Sequence, residues 1–280
     1  MALLRLFLKP GVDKQNTEYG AEGGWVDSDY VRFRYGLPEK LGGWTQFGNT
    51  QVNFVGSVSD IFTWNDLAGS PYAALGTNRK VYVFYGGTWA DITPIRDTGA
   101  CTFTTTNGST TVVVNDTAHG AIQGDFVTFS AVSGNPGGIT NASLTNEFEI
   151  QAILTNGTYT ILSPTQATST AAAAGAATAT YQINVGSDVS YVDFGWGTGT
   201  WGLSTWGTPR PASAALALLA RVWQFDNFGQ LLILQAVDGG IYEWNPTSGL
   251  GTRATAISGA PTKSKFALVS TPDRHLVCFG

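Results

Sequence analysis

Val31, Phe33 and Tyr35 alternate with Arg32, Arg34 and Gly36, a period-two pattern that predicts a strand with both arginines on one face. Leu37-Pro38-Glu39 is expected to break that strand, and Leu41 to Phe47 to begin another. Further along, one hydrophobic pattern recurs. Residues 61–84 read IFTWNDLAGSPYAALGTNRKVYVF, and residues 222–244 read VWQFDNFGQLLILQAVDGGIYEW. Trp64-Asn65-Asp66 aligns with Phe225-Asp226-Asn227. After a one-residue gap, Asn78 to Phe84 aligns with Asp238 to Trp244. A third copy, ALVSTPDRHLVCF, occupies 267–279. Each copy predicts a strand, a tight turn and a second strand ending on an aromatic residue. The second and third copies lie about 35 residues apart, near the ~40-residue period of β-propeller blades.

A block of different character, residues 97–184, separates the first two copies. It is rich in Thr, Ser, Ala and Gly. Its strand-like runs are Thr110 to Asn115, Asp125 to Ala131, Glu147 to Leu154 and Thr158 to Leu162, divided by turn signals such as Asn107-Gly108 and Asn156-Gly157. These predict a small β-barrel or β-sandwich inserted into a connection between blades. The run Thr168 to Thr180, TSTAAAAGAATAT, is expected to be a loop entering a strand over Tyr181 to Val185. The chain therefore divides into 1–96 (amino-terminal strands and first blades), 97–184 (the insert) and 185–280 (an arm and further blades). Without the insert, about 190 residues remain, enough for four to five blades of ~40 residues.

The arm begins with FGWGTGTWGLSTWGTPRP at 194–211. Trp196, Trp201 and Trp206 recur every five residues among glycines. Each glycine costs a helix about 1 kcal/mol, and a spacing of five puts neighbouring tryptophans on opposite faces of a strand. An irregular ribbon remains, anchored by its indoles on its own domain or on another subunit. Sugar stacking and interface burial compete as uses for these rings. Arg210, directly after them, favours an interface.

Composition narrows the chemistry. Only 12% of the 280 residues are charged, and the formal net charge is −5. No Lys/Arg cluster offers phosphates a basic face, although an acidic or neutral surface lets DNA slide without sticking. Cys101 and Cys278 lie far apart and make no disulfide framework, which favours intracellular folding. MALLRLFLKP is interrupted by Arg5 and lacks a small-residue cleavage site. It predicts a strand rather than a signal sequence. No window reaches the ~18 apolar residues of a membrane span.

Candidate catalytic chemistry is thin. His119 opens the turn HGAIQGDF and is expected at the surface, and His275 lies in the third repeat's turn. Neither has metal-ligand neighbours in sequence. Asp60, Asp66, Asp226 and Asp238 are candidates for a glycosidase pair, but their repeat-related positions after aromatic residues point to turns. The GxGxxG-like spacing within GWGTGTWG precedes Pro209 rather than a helix, so it predicts no dinucleotide site. No cofactor and no enzymatic activity are expected.

Residues 10–44, PGVDKQNTEYGAEGGWVDSDYVRFRYGLPEKLGGW, resemble the amino-terminal signature of tail nozzle proteins of short-tailed bacteriophages. These are also called tail hub or packaged-DNA stabilisation proteins. FGWGTGTWGLSTWGTPR at 194–210, VWQFDNFGQLLILQAVDGGIYEWNP at 222–246 and TPDRHLVCFG at 271–280 are similar in the same order. The resemblance implies an all-β, β-propeller subunit of a homohexameric ring below the portal and adaptor proteins. Such a ring is made in the host cytoplasm and carried in the virion. It forms a DNA exit channel without sequence-specific binding and a platform for tail fibres or spikes. Members of the family continue past HLVCFG, so the chain reads as a fragment or shortened form. On this reading Trp196, Trp201, Trp206, Arg210, Arg32 and Arg34 belong to the subunit interface. The competing expectation is a carbohydrate-binding or carbohydrate-cleaving propeller.

Overall fold

The computed structural model describes residues 9–43, 53–188, 220–270 and 272–280. Of the strands expected over Met1 to Pro10 and Leu41 to Phe47, residues 1–8 and 44–47 lie outside the described residues, as does the whole Gly/Trp ribbon, and Lys9, Pro10 and Leu41 to Gly43 form no strand. The described chain is nearly all β, in antiparallel sheets. It divides into two units, Met1–Gly48 and Asn49–Gly280.

In the first unit, β1 (Val31–Arg34) pairs with β2 (Leu37–Lys40) in a hairpin. Leu37-Pro38-Glu39 therefore does not interrupt a strand; it forms the return strand. Tyr35 and Gly36 both have positive φ (50° and 78°), the two-residue geometry whose twist matches that of a hairpin. Pro38 sits opposite Phe33 in a two-stranded sheet, where its missing N–H can face outward.

The second unit opens with a four-stranded meander: β3 (Val58–Asn65), β4 (Pro71–Thr77), β5 (Val81–Tyr85) and β6 (Thr88–Asp91), hydrogen-bonded in sequence order. The chain then leaves for the 97–184 region. β7 (Ile95–Thr105), β8 (Thr111–Asn115), β9 (Phe126–Ser133), β10 (Glu147–Glu149), β11 (Ala152–Thr155), β12 (Thr158–Leu162) and β13 (Ala171–Gln182) form one seven-stranded sheet. Its order is β10-β9-β13-β7-β8-β12-β11. The two edge strands, β10 and β11, are consecutive in the chain and joined by Ile150 and Gln151 alone. Ile150 donates its N–H to Asp125 beside β9, whereas Gln151 donates to Thr160 of β12. The sheet is therefore curled enough for two residues to carry the chain from one edge strand to the other. Its core draws only on this region: Phe103, Val112, Val114, Phe129, Tyr159 and Ile161 are among the buried residues. A short helix, α1 (Asn141–Leu144), is capped by the Thr140 side chain and buries Leu144 against this core.

The alanine-rich run is a strand, β13, and not the loop its composition suggested. It lies between β7 and β9 in the middle of the sheet, where small side chains let both neighbours approach. It holds this place through shifts of register at Ala171/Ala174 and Ala174/Ala177, with Ala173 at φ 45°. Such irregularity erases the two-residue alternation by which a strand is recognised.

The second meander comprises β14 (Trp223–Phe228), β15 (Leu231–Ala236), β16 (Ile241–Trp244) and β17 (Thr255–Ala256), again in sequence order. A hairpin of β18 (Phe266–Ser270) and β19 (His275–Phe279) follows. β15, LLILQA, is apolar nearly throughout because both its faces are covered. Leu232, Leu234 and Ala236 point toward the first meander, in a core with Trp64, Val81 and Val83. Ile233 points the other way, toward Ala267, Val269 and Leu276 of the terminal hairpin.

Two indoles stitch the meanders reciprocally. Trp64 of the first donates to the Gln230 carbonyl of the second at 3.1 Å. Trp223 of the second donates to the Thr77 carbonyl of the first at 2.7 Å. The Trp223 ring lies over Gly76, where a Cβ would come within 2.8 Å of it, so the contact needs glycine. The terminal hairpin is tied on in the same manner. Asp226 accepts the Val269 N–H at 2.7 Å, and Gln235 donates to the Ser264 carbonyl at 2.7 Å.

Candidate functional site

Of the residues assigned to a subunit interface, Trp196, Trp201, Trp206 and Arg210 lie outside the described residues. Arg32 and Arg34 are exposed on one face of β1. Arg32 pairs with Glu39 across the hairpin at 3.0 Å, and Arg34 lies 5.3 Å from the centre of the Tyr35 ring. The four candidate carboxylates are engaged in local bonds. Asp66 caps the β3–β4 turn by accepting from Ala68 and Ser70, and Asp60 accepts from Ile61. Asp226 holds β18, and Asp238 pairs with Lys265 at 2.5 Å. Among the described residues no group of three or more His, Cys, Asp or Glu side chains is placed to hold a metal.

His119 is buried, at 2% exposure, contrary to the expectation of a surface turn. Its Nδ1 accepts the Ala121 N–H at 3.0 Å, so Nε2 carries the proton toward the Thr155 carbonyl at 3.3 Å. Its ring packs edge-on against Tyr159, 5.1 Å between centres. Beside it runs a hydrogen-bonded line: the Tyr159 and Tyr181 hydroxyls lie 2.9 Å apart, and Tyr181 donates to Asp116 at 2.7 Å. Burial raises both phenols well above the ordinary tyrosine range. It also pushes the Cys101 thiol up to about 12, with the Asp116 charge adding to the effect. These groups sit inside the seven-stranded sheet and satisfy one another, which makes them a polar core.

Two constellations stand at the boundaries between sheets. The first is an ion-paired junction. Lys80, 4% exposed in the β4–β5 turn, contacts Asp91 at 2.9 Å and also pairs with Glu147 on β10. Arg253, ahead of β17, approaches Asp91 at 2.5 Å, an ion contact rather than a well-angled hydrogen bond. It comes within 3.7 Å of Glu147. Gln182 donates to the other Glu147 oxygen at 2.6 Å, and Arg79 pairs with Glu149 at 2.9 Å. Residues of both meanders and of the seven-stranded sheet thus meet in one balanced network. Burial by itself would raise the Asp91 carboxyl. Arg253 and Lys80, with hydrogen bonds from Thr93 and Lys80, outweigh burial and hold it below its ordinary value.

The second is a cleft of about 310 Å³ where the β7/β13 stem meets the second meander. Arg96 and Arg221 line it, with Tyr242, Asn184 and the apolar side chains of Ile95 and Ile183. Arg96 donates to the His119 carbonyl at 2.8 Å and lies over the Tyr181 ring at 5.6 Å, while its Nε is buried without a partner. Arg221 lies over the Trp223 ring at 5.9 Å, and among the described residues its guanidinium makes no ion pair. Burial lowers its affinity for its proton. The nearby carboxylate is Asp125, 1% exposed, which accepts from the backbone of Ile122 and Val185 and from Asn184 at 2.7–2.9 Å. Burial, opposed by those three bonds, raises its carboxyl.

Sequence reasoning missed both constellations. Lys80 and Glu147 lie 67 positions apart, and no spacing rule links a turn lysine to an edge-strand glutamate. The one available signal was Lys80 itself, a charged residue interrupting an apolar run within a repeat.

No known family profile matches the sequence, and no curated protein is similar to it. Among solved structures it is similar to the phage phi92 endosialidase, at 15% identity and a TM-score of 0.25. The matched region covers 78% of this chain and 33% of that one. A superposition this loose speaks for neither fold nor activity.

Proposed function

We propose that this chain is a structural virion protein, a subunit of a homohexameric tail nozzle of a short-tailed phage. On this reading the ring forms the exit channel that stabilises packaged DNA, contacts portal and adaptor proteins on one side and carries fibres or spikes on the other. The observation that carries the reading is the placement of β15. One of its faces is buried on the meander before it and the other on the hairpin after it. Consecutive antiparallel sheets stacked in this way are the packing of β-propeller blades. The curled seven-stranded sheet is then a small barrel set into the connection between two blades. The order of motifs along the chain, from the amino-terminal signature through the Gly/Trp ribbon to the repeats, supports the same reading.

In this proposal the junction around Lys80 and Asp91 fixes the orientation of the insert relative to the blades. A platform for fibres needs such rigidity, because a tether alone would let the insert swing. The tryptophan ribbon supplies contacts between subunits. Burying one indole removes roughly 150–250 Å² from water, about 4–6 kcal/mol gross at ~25 cal/mol/Å² before entropy is counted.

Mass photometry of the purified chain tests the proposal. A particle of six subunits is expected, and Trp201→Ala shifts the population toward monomer while the monomer's circular dichroism stays unchanged. A chain that remains monomeric at micromolar concentration and cleaves or binds polysaccharide belongs instead to the carbohydrate-processing class.

A further inference from the structure

The cleft between the β7/β13 stem and the second meander has an unspent charge. Two cationic residues, Arg96 and Arg221, line it. One carboxylate, Asp125, is electrostatically coupled to both. Its oxygens are already committed to the N–H groups of Ile122, Val185 and Asn184. One positive charge is left over. The hydrogen-bonding capacity is unspent as well: among the described residues, the one hydrogen bond of the Arg96 guanidinium goes to the His119 carbonyl. Among the described residues, neither the Arg221 guanidinium nor the Tyr242 hydroxyl makes a hydrogen bond.

What fits follows from charge, geometry and size. Guanidinium forks match the planar pair of oxygens of a carboxylate or the face of a phosphate. A single surplus charge matches a carboxylate, whereas a phosphate group brings about −1.5 to −2 at neutral pH. The volume of 310 Å³ is at the lower end of small-molecule pockets, which run from about 300 to 1,000 Å³. Ile95, Ile183, Ala236 and Ala256 give the remaining wall an apolar character, suited to the carbon skeleton that carries the carboxylate.

We infer that this cleft binds a small carboxylate-bearing molecule of about monosaccharide size, held by Arg96 and Arg221 with Tyr242 donating a further hydrogen bond. The inference does not depend on the nozzle reading, since the cleft lies wholly within one chain. Trp223, under the Arg221 guanidinium, provides an intrinsic fluorescent reporter.

The test is titration of the full chain with sodium glucuronate, glucose and inorganic phosphate, followed by tryptophan fluorescence and isothermal calorimetry. Saturable binding of glucuronate is expected, at least tenfold tighter than glucose or phosphate and weakened by added salt. Arg221→Gln reduces glucuronate affinity at least tenfold. Tyr242→Phe, which removes one hydroxyl and keeps the ring, reduces it about threefold with an unchanged melting temperature. If Arg221→Gln fails to fold, the Tyr242→Phe result decides. Absence of saturable glucuronate binding overturns the inference, as does affinity untouched by Tyr242→Phe. Phosphate or glucose binding as tightly as glucuronate overturns the assignment to a carboxylate.

Discussion

The seven-stranded sheet and the pair of meanders reach stability by different routes. The sheet supplies its own core: the buried cluster lies entirely between Cys101 and Tyr181, Tyr159, Tyr181 and Asp116 bond in a line, and His119 bonds to the backbone of the same region. Neither meander has such a core. Trp64, Tyr72, Val81 and Val83 of the first are buried only because Trp223, Leu232, Leu234 and Trp244 of the second lie against them. The difference follows from strand number. Seven strands can curl around their own side chains, whereas four flat strands bury one face only by finding another sheet. The 97–184 region, the guest, therefore draws its buried cluster from its own strands, whereas the meanders, its hosts, share theirs.

The largest expected effect on this comparison comes from Trp223→Ala. It removes a ring that is 1% exposed together with its bond to Thr77, for a loss of about 3–5 kcal/mol. Hydrogen exchange read by mass spectrometry should show β3–β6 and β14–β17 losing protection together while β7–β13 keeps it. Uniform loss across all three would mean that the guest depends on its hosts.

Next comes the junction. Asp91→Ala strands the buried Lys80 beside Glu147 alone and should cost about 3 kcal/mol in urea unfolding, with partial recovery in the double variant carrying Lys80→Met. Its pH signature has a definite sign. Because the folded protein holds Asp91 below the ordinary carboxylate value, its contribution is present above about pH 4. It disappears as pH falls through the lower, folded-state value. Asp91→Asn should flatten that part of the stability profile, and a variant with the wild-type acid slope would assign the slope to other carboxylates.

Tyr181→Phe acts inside the guest. It leaves Asp116 and Tyr159 without a shared partner and should cost about 1–2 kcal/mol. Exchange should rise in β7, β12 and β13 and remain unchanged in the meanders. The smallest effect is expected from Glu149→Gln. Its pair with Arg79 is exposed by a third or more on each side, and such pairs contribute less than about 1 kcal/mol. A melting temperature within a degree or two of wild type is the expected reading. A large drop would show that the rim of the junction is as important as its buried centre.

Local pattern carried the hairpins far. The 267–279 copy is one strand–turn–strand unit, as expected, whereas the copies at 61–84 and 222–244 each hold three strands, with Asn78 to Phe84 and Asp238 to Trp244 supplying a turn and the last of them. Thr158 to Leu162 was legible to the residue, since short strands bounded by Gly and Ser report their own ends. Three positions were not legible. β13 is built from residues with weak strand preference and owes its form to the neighbours on both sides. Leu37 to Lys40 is a strand because Tyr35 and Gly36 accept positive φ, a matter of backbone and not of side-chain pattern. His119 is in a turn by sequence and in a core by packing, because aromatic residues distant along the chain close over it.

The sequence by itself determined the all-β character and the recurring hairpins, since each is set by spacing and composition over a few tens of residues. The tertiary structure alone decided that Lys80, Asp91, Glu147 and Arg253 form one charge-balanced knot, and that Arg96 and Arg221 line one cleft. Coulombic partners are chosen by distance through space and by burial. Neither quantity exists until the sheets have packed.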